Sequence, residues 1–355
     1  MAATIYQTTT PALAAPSPAE RDALLDLPAT RAGHAQALAR YPTLFERVEV
    51  ALPAALAPCT GPARIAFWNA ERGKDLEASA ALLGSLDASV LLLCELDLGM
   101  ARSSQAHTTR VLAERLGTGY AFAVEFLELG LGDAHERDWH AGEVNQAGLH
   151  GAAILGRCAL EHPALIRLET EGGWFDGQHG ERRVGGRIAV AATVTIDGVA
   201  VTLVSVHFES HGDPAQRAAQ MACLIEAIER YAPHQPVLIG GDLNTSTLSR
   251  DWARGTGMKP ILPAERVLDP VPYEPMFGVA AAQDYDWQSC NVLGVPTQRT
   301  RPDGTPRPPL GKIDWFLGRD LVTADPATVP AVDATGRAIS DHEVLLVTIT
   351  PPARP

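Results

Sequence analysis

The segment Ser89-Val-Leu-Leu-Leu-Cys-Glu95 constrains the fold more than any other part of the chain. Five apolar residues run without a break and stop at a carboxylate. A strand with one wet face alternates, whereas a run without alternation fits a strand covered on both faces, so layers must lie above and below it. The arrangement recurs in Leu203-Val-Ser-Val-His207 and in Val237-Leu-Ile-Gly-Gly-Asp242. Each run delivers a polar group to the end of a core strand, where it is costly unless paired or liganded.

Around these strands the pattern alternates with helices. Ser17-Pro-Ala-Glu20 reads as a capping box with proline in the first turn, opening a helix to about Leu27, and a second helix spans Arg31 to Tyr41. Residues 1–16, rich in Thr, Ala and Pro, read as disordered, so 1–60 is expected to be an N-terminal extension, disordered then helical, ahead of a single domain over 61–352. Within that domain, strands are expected at 64–69, 89–95, 120–126, 151–155, 237–241, 312–317 and 343–349, with helices at 75–86, 104–116 and 214–231. Asp197-Gly198 joins the strands 187–196 and 199–207 in a tight hairpin. The polar segment 129–148 reads as a loop, and 255–310 as mostly irregular. Hairpins mixed with helices imply two packed sheets with helices outside, an α+β or α/β sandwich.

The 355-residue chain is 46% hydrophobic and 20% charged, enough for a sizeable core. Asp and Glu outnumber Lys and Arg 42 to 29, a net charge of -13, which argues against a protein that grips nucleic acid chiefly through its phosphates. Five widely spaced cysteines without a CxxC disfavour a disulfide framework or a zinc–thiolate site and read as reduced, buried residues. No secretory leader is evident in Met1 to Pro18 and no apolar run approaches the ~18–20 residues of a membrane span, so cytoplasmic residence is expected.

The strand-end residues form a chemical set: Glu95, His207, Asp242, Asn244, Asp314, Asp341 and His342. Carboxylates with an amide and two imidazoles suit a hard divalent cation, Mg²⁺ or Mn²⁺, rather than structural zinc. No GxSxG supports a serine nucleophile.

Phe67-Trp-Asn69, Leu93-Cys-Glu95, Gly151-Ala-Ala-Ile-Leu155, Ser205-Val-His207, Gly240-Gly-Asp-Leu-Asn244, Lys312-Ile-Asp-Trp315 and Ser340-Asp-His342 occur in the order and spacing of the endonuclease/exonuclease/phosphatase superfamily, which the chain resembles over roughly 64–350. The resemblance implies a four-layered α/β sandwich of two mixed sheets flanked by helices, and metal-dependent hydrolysis of a phosphate ester. It implies that Glu95 is the principal metal-binding residue, with Asn69 beside it and Asp341 in the same site. Asp242 and Asn244 would orient the attacking water and the phosphate. His342 would be the catalytic histidine, oriented by Asp314, and His207 would contact the phosphate.

Arg187, His150 and Glu209 are further candidates for substrate contact, and Asp97 shares Glu95's strand face. Leu149 and His150 stand where repair-type relatives carry a tyrosine, which weakens an abasic-site reading. Loops 129–148 (His135, Glu136, Trp139, His140, Asn145) and 172–186 (Trp174, Phe175, His179, Arg182, Arg183), with Arg299, Arg301 and Arg307, are candidates for framing an anionic substrate. The expected substrate is a small or lipid-like phosphodiester. A nuclease acting on nucleic acid, a phosphomonoesterase and a non-catalytic binding module are the alternatives.

Overall fold

A computed structural model describes residues 3–53, 55–169, 171–245, 265–299 and 311–352. Two mixed sheets pack face to face. The six-stranded sheet contains, in spatial order, β1 (Thr4–Tyr6), β8 (Glu161–Arg167), β10 (Ile188–Ile196), β11 (Val199–His207), β12 (Val237–Asp242) and β13 (Asp314–Arg319). The nine-stranded sheet runs β14 (Val322–Val329), β15 (Val344–Thr350), β4 (Ala63–Arg72), β5 (Val90–Leu98), β7 (Leu149–Gly156), β6 (Gly119–Glu128), β3 (Arg47–Ala51) and β2 (Thr8–Thr10), with β9 (Arg183–Gly185) also on β6. Parallel pairs β4·β5 and β11·β12 lie centrally, and the other central pairs are antiparallel.

Apolar residues of both inner faces, among them Ile65, Phe67, Leu92, Ile154, Val190, Leu203, Leu238 and Phe316, fill the space between the sheets. The outer face of the larger sheet is covered by α1 (Pro18–Leu25), α2 (Arg31–Arg40), α3 (Pro42–Phe45), α4 (Leu76–Ser85) and α5 (Thr108–Leu116), and that of the smaller by α7 (Pro214–Tyr231). Four layers result, so the unbroken apolar runs are covered on both faces as their composition requires. Gly240 sits where the sheets approach closely: a Cβ there would lie 2.8 Å from Phe316 of the neighbouring strand, and 2.9 Å from Leu92 and 3.1 Å from Phe67 of the other sheet.

The local signals hold at α1, whose capping box forms between Ser17 and Glu20, and at the β10–β11 hairpin, where Asp197 and Gly198 both take positive φ. The expected loop 129–148 contains a short capped helix, α6 (Ala134–Trp139). The disorder expected for residues 1–16 is corrected: β1 pairs with β8 in one sheet and β2 with β3 in the other. The β-branched stretches Thr4-Ile5 and Thr8-Thr-Thr10 cover open strand edges, an opportunity that composition does not reveal. The first sixty residues are woven into both sheets, because β3 also pairs with β6. Arg301 and Arg307 lie outside the described residues.

Candidate active site

Because β4, β5, β11 and β12 end at the same edge of the sandwich, and β13 and β15 begin there, eight strand-end residues converge. Register places His207 beside Asp242 and Asp242 beside Asp314. Glu95 is turned into the site by irregular pairing on both sides of β5 and by a positive φ of 53°. Such left-handed backbone on a non-glycine residue persists only where the surroundings impose it.

Asp242 is the hub. Its Oδ2 accepts the Asn69 amide at 3.0 Å and lies 3.6 Å from His207 Nε2 and 3.8 Å from His342 Nε2. Its Oδ1 accepts the Asn244 backbone N–H at 3.0 Å. Asn244, at positive φ, donates its side-chain amide to the Phe208 carbonyl at 2.9 Å. The imidazoles are backed differently: His342 Nδ1 lies 3.0 and 3.1 Å from the two Asp314 oxygens, whereas His207 Nδ1 faces Arg187, with Glu125 Oε2 3.8 Å away. Ser340 sets the loop by donating to the Asn69 carbonyl at 2.8 Å while accepting the His342 N–H at 3.0 Å.

The two histidines are electrostatically unlike. Burial disfavours the His342 imidazolium, but the carboxylates of Asp314 and Asp242 outweigh it and hold the group well above its ordinary value. Burial and the adjacent Arg187 cation push His207 well below its ordinary value, leaving it neutral. Arg187 Nη1 stands 3.1 Å from His207 Nδ1. Since guanidinium only donates, Nδ1 accepts and the proton sits on Nε2, facing Asp242. Burial, reinforced by the Asp314 carboxylate, raises Asp242 to about 7.

Glu95 is half-buried, and although its desolvation acts to raise it, Arg72 above all holds it well below the usual carboxylate range. Arg72 pairs with Glu95 Oε2, and Asn69 donates to Oε1 at 3.1 Å. Asp341 lies 3.8 Å from His342 Nε2, and its backbone N–H donates to Glu71 at 2.9 Å. Burial and the Asp341 charge push Glu71 upward. Asp242, Asp314 and His342 bring ligand atoms within 4.8 Å of one another. His342 is held protonated within that trio, whereas Glu71, Glu95 and Asp341 are oxygen donors that repel one another, the environment a hard divalent cation relieves, so these residues fit such an ion.

Arg187, Glu209 and His150 are engaged within the protein. Arg187 binds Glu125 at 2.6 Å and Glu209 at 3.1 Å, and Glu209 also accepts the Trp174 indole N–H at 2.9 Å. Arg187 above all overcomes the effect of burial and keeps Glu209 well below its usual range. His150 lies 2.9 Å from Asp97, which is clamped by Arg102. The two loops are similarly tied: Asn145 bonds Ala101 and Gly130, Glu136 pairs with Arg102 and Lys74, and Arg182 bonds the Leu25 and Leu27 carbonyls. Arg299 pairs with Glu343, whereas Trp139 and His135 face solvent.

Sequence reading passed over Glu125, Glu71 and Arg72. Glu125 had a signal, as the lone charge within Tyr120-Ala-Phe-Ala-Val-Glu-Phe-Leu127. The Glu71-Arg72 pair follows Asn69 after one residue, Ala70, at the end of the same core strand.

Strand-end carboxylates, one imidazole backed by Asp314, one backed by Arg187 and a central aspartate thus lie together at one edge of a four-layered sandwich. The chain belongs to the endonuclease/exonuclease/phosphatase family, whose sequence profile matches residues 66–342. That family comprises in general hydrolytic, divalent-metal-dependent phosphoesterases and nucleases. Among solved structures, the endonuclease/exonuclease/phosphatase from Beutenbergia cavernae is 18% identical, with 82% of this chain and 72% of that one covered at a TM-score of 0.55. The Bacteroides vulgatus family member is 15% identical, covering 82% and 99% at 0.52. The human Nocturnin catalytic domain is 16% identical, covering 85% and 96% at 0.52. These likenesses concern the fold. No curated protein matches the chain in sequence. No helix among the described residues is long and apolar enough to cross a membrane.

Proposed function

We propose that the chain is a Mg²⁺- or Mn²⁺-dependent phosphodiesterase acting on a small or lipid-like phosphate ester. The observation that carries this reading is the convergence of Asn69 Nδ2 and both histidine Nε2 atoms on Asp242 Oδ2, at 3.0, 3.6 and 3.8 Å. Phosphoryl transfer needs an aligned water and fixed positive or donor groups around the phosphorus, with little covalent help. Asp242, poised near neutrality, orients the water and takes its proton; Asn244 fixes the carboxylate through its backbone N–H. His342, kept protonated and oriented by Asp314, donates to the phosphoryl group or the leaving oxygen. His207, neutral, offers Nε2–H to a phosphoryl oxygen. Glu95 and Asp341, with Asn69 beside them, would hold the divalent ion, which when bound supplies charge neutralisation at the phosphoryl oxygens.

Glu95, Glu209 and Glu71 around the site are each paired with a cation, Arg72, Arg187 and Lys74 respectively, so what disfavours a polyanion is the chain as a whole, whose net charge is -13.

The test is hydrolysis of bis(p-nitrophenyl) phosphate by the purified protein with Mn²⁺ or Mg²⁺, against EDTA and against His342→Gln. Metal-dependent turnover that falls about 10²–10⁴-fold in the variant is expected for loss of a general acid. Turnover that survives EDTA, or a fully active variant, overturns the reading. Titration of a labelled DNA oligonucleotide against salt separates the nuclease alternative, which requires tight binding that falls steeply with ionic strength.

A further inference from the structure

The end of the sandwich opposite Asp242 contains a second chemical feature. β7 begins beside the active-site edge, where Leu149 pairs with Leu98, and finishes at the far edge, where Gly156 pairs with Val90. Cys158 follows two residues later. Cys59, nearly a hundred residues earlier in the chain, is laid against the same edge by three contacts. Ala57 N–H donates to the Arg157 carbonyl at 3.0 Å, Asp197 N–H to the Cys59 carbonyl at 3.2 Å, and Gly61 N–H to Asp197 Oδ2 at 3.0 Å. These bonds set the two cysteines as neighbours on the walls of the same two cavities.

Both cysteines line two adjoining cavities. One, of about 490 Å³, is also bordered by Arg64, Arg157 and Ser89; the other, of about 330 Å³, by Thr195 and Asp197. Both sulfurs are thus shielded from bulk solvent yet open to a small molecule. Cys94, by contrast, is enclosed between the sheets, and Cys290 bonds the Asp286 carbonyl. All five cysteines are in the thiol form.

We propose that Cys59 and Cys158 form a hydroperoxide-reactive dithiol site that closes to a disulfide, fastening the 55–62 connector to the end of β7. The Cys59 thiolate attacks the terminal peroxide oxygen. The O–O bond breaks, an S–O bond forms, and the alkoxide or hydroxide departs and takes up a proton. Cys158, deprotonated as it attacks, then displaces hydroxide from the Cys59 sulfenic acid; the S–S bond forms and water leaves. Overall two thiols are oxidised by two electrons, and one peroxide is reduced to an alcohol and water, or to two waters. Thiol polarity matches these roles: the neighbouring Cys158 lowers Cys59, while Cys59 in turn and burial raise Cys158.

The experiment treats the reduced full chain with stoichiometric hydrogen peroxide and maps peptides by mass without reduction. The expected result is a cross-linked pair of peptides carrying Cys59 and Cys158, reversible by dithiothreitol, with titratable thiols falling from five to three (5 − 2) under denaturing conditions. Cys158→Ser should leave Cys59 as a sulfenic acid trapped by dimedone, and Cys59→Ser should leave Cys158 as a thiol at the same dose. Oxidation confined to Cys223 and the remaining cysteines, or an unchanged thiol count, overturns the proposal. So does loss of two thiols in the Cys59→Ser variant. Mapping of the unmutated protein decides the matter even where a serine variant fails to fold.

Discussion

At the scale of single residues the site is organised around one oxygen, Asp242 Oδ2, which two imidazoles and an amide approach. Glu209 belongs to the support of this centre, through Arg187 and then His207 Nδ1. Glu209→Gln is therefore expected to lower kcat about 10-fold or more with little change in KM, as when an interaction made only in the transition state is lost. A rise in KM at unchanged kcat would put Glu209 in contact with substrate instead. The strand-end acids and imidazoles were legible in sequence because a charge that terminates an apolar run demands a partner. Arg187's engagement was not legible, because its partner Glu125 lies 62 positions away on another strand and only packing joins them.

At the scale of elements, Glu49 on β3 shows how the N-terminal segment is held. Its carboxylate accepts the Leu13 N–H at 2.8 Å, the Tyr120 hydroxyl at 2.7 Å and Arg110 at 2.9 Å, with His107 at 2.8 Å. Burial alone would raise this acid, but the His107 and Tyr120 contacts outweigh it and bring it down to about 2. A lowered acid stabilises the fold at pH above its unfolded value, near 4.5, and that contribution disappears as pH falls from there through 2. Glu49→Gln should accordingly lower unfolding free energy at pH 7 by on the order of 1–2 kcal/mol, after screening at the half-exposed Arg110, with the difference shrinking toward pH 2. Urea unfolding at pH 7 and pH 3 measures this, and an equal deficit at both would show that Glu49 acts by shape rather than charge. Capped helices and the Asp-Gly hairpin could be read from sequence because their signals are local. β1, β2 and β3 could not, because short edge strands exist only through the sheet they complete.

At the scale of the whole molecule, two sheets meet so closely at Gly240 that a methyl group would press on Phe316, Leu92 and Phe67 together. Gly240→Ala should cost about 1–3 kcal/mol by overpacking, read as a lowered melting temperature; an unchanged melting temperature would mean that the sheets separate freely there. The layered architecture was legible because unbroken apolar runs require cover on both faces, whereas the order of strands within each sheet was not. That order has a consequence for how the protein comes into being. β15, the last strand among the described residues, lies inside the larger sheet between β14 and β4, and His342 stands two residues before it. During synthesis β4 must wait, one flank open, for a partner made nearly three hundred residues later, a wait that favours chaperone capture or aggregation of unfinished chains. A chain cut short before His342 lacks both the strand that closes the open flank of β4 and the imidazole 3.8 Å from Asp242, so completion of the sheet and assembly of the candidate site depend on one and the same segment.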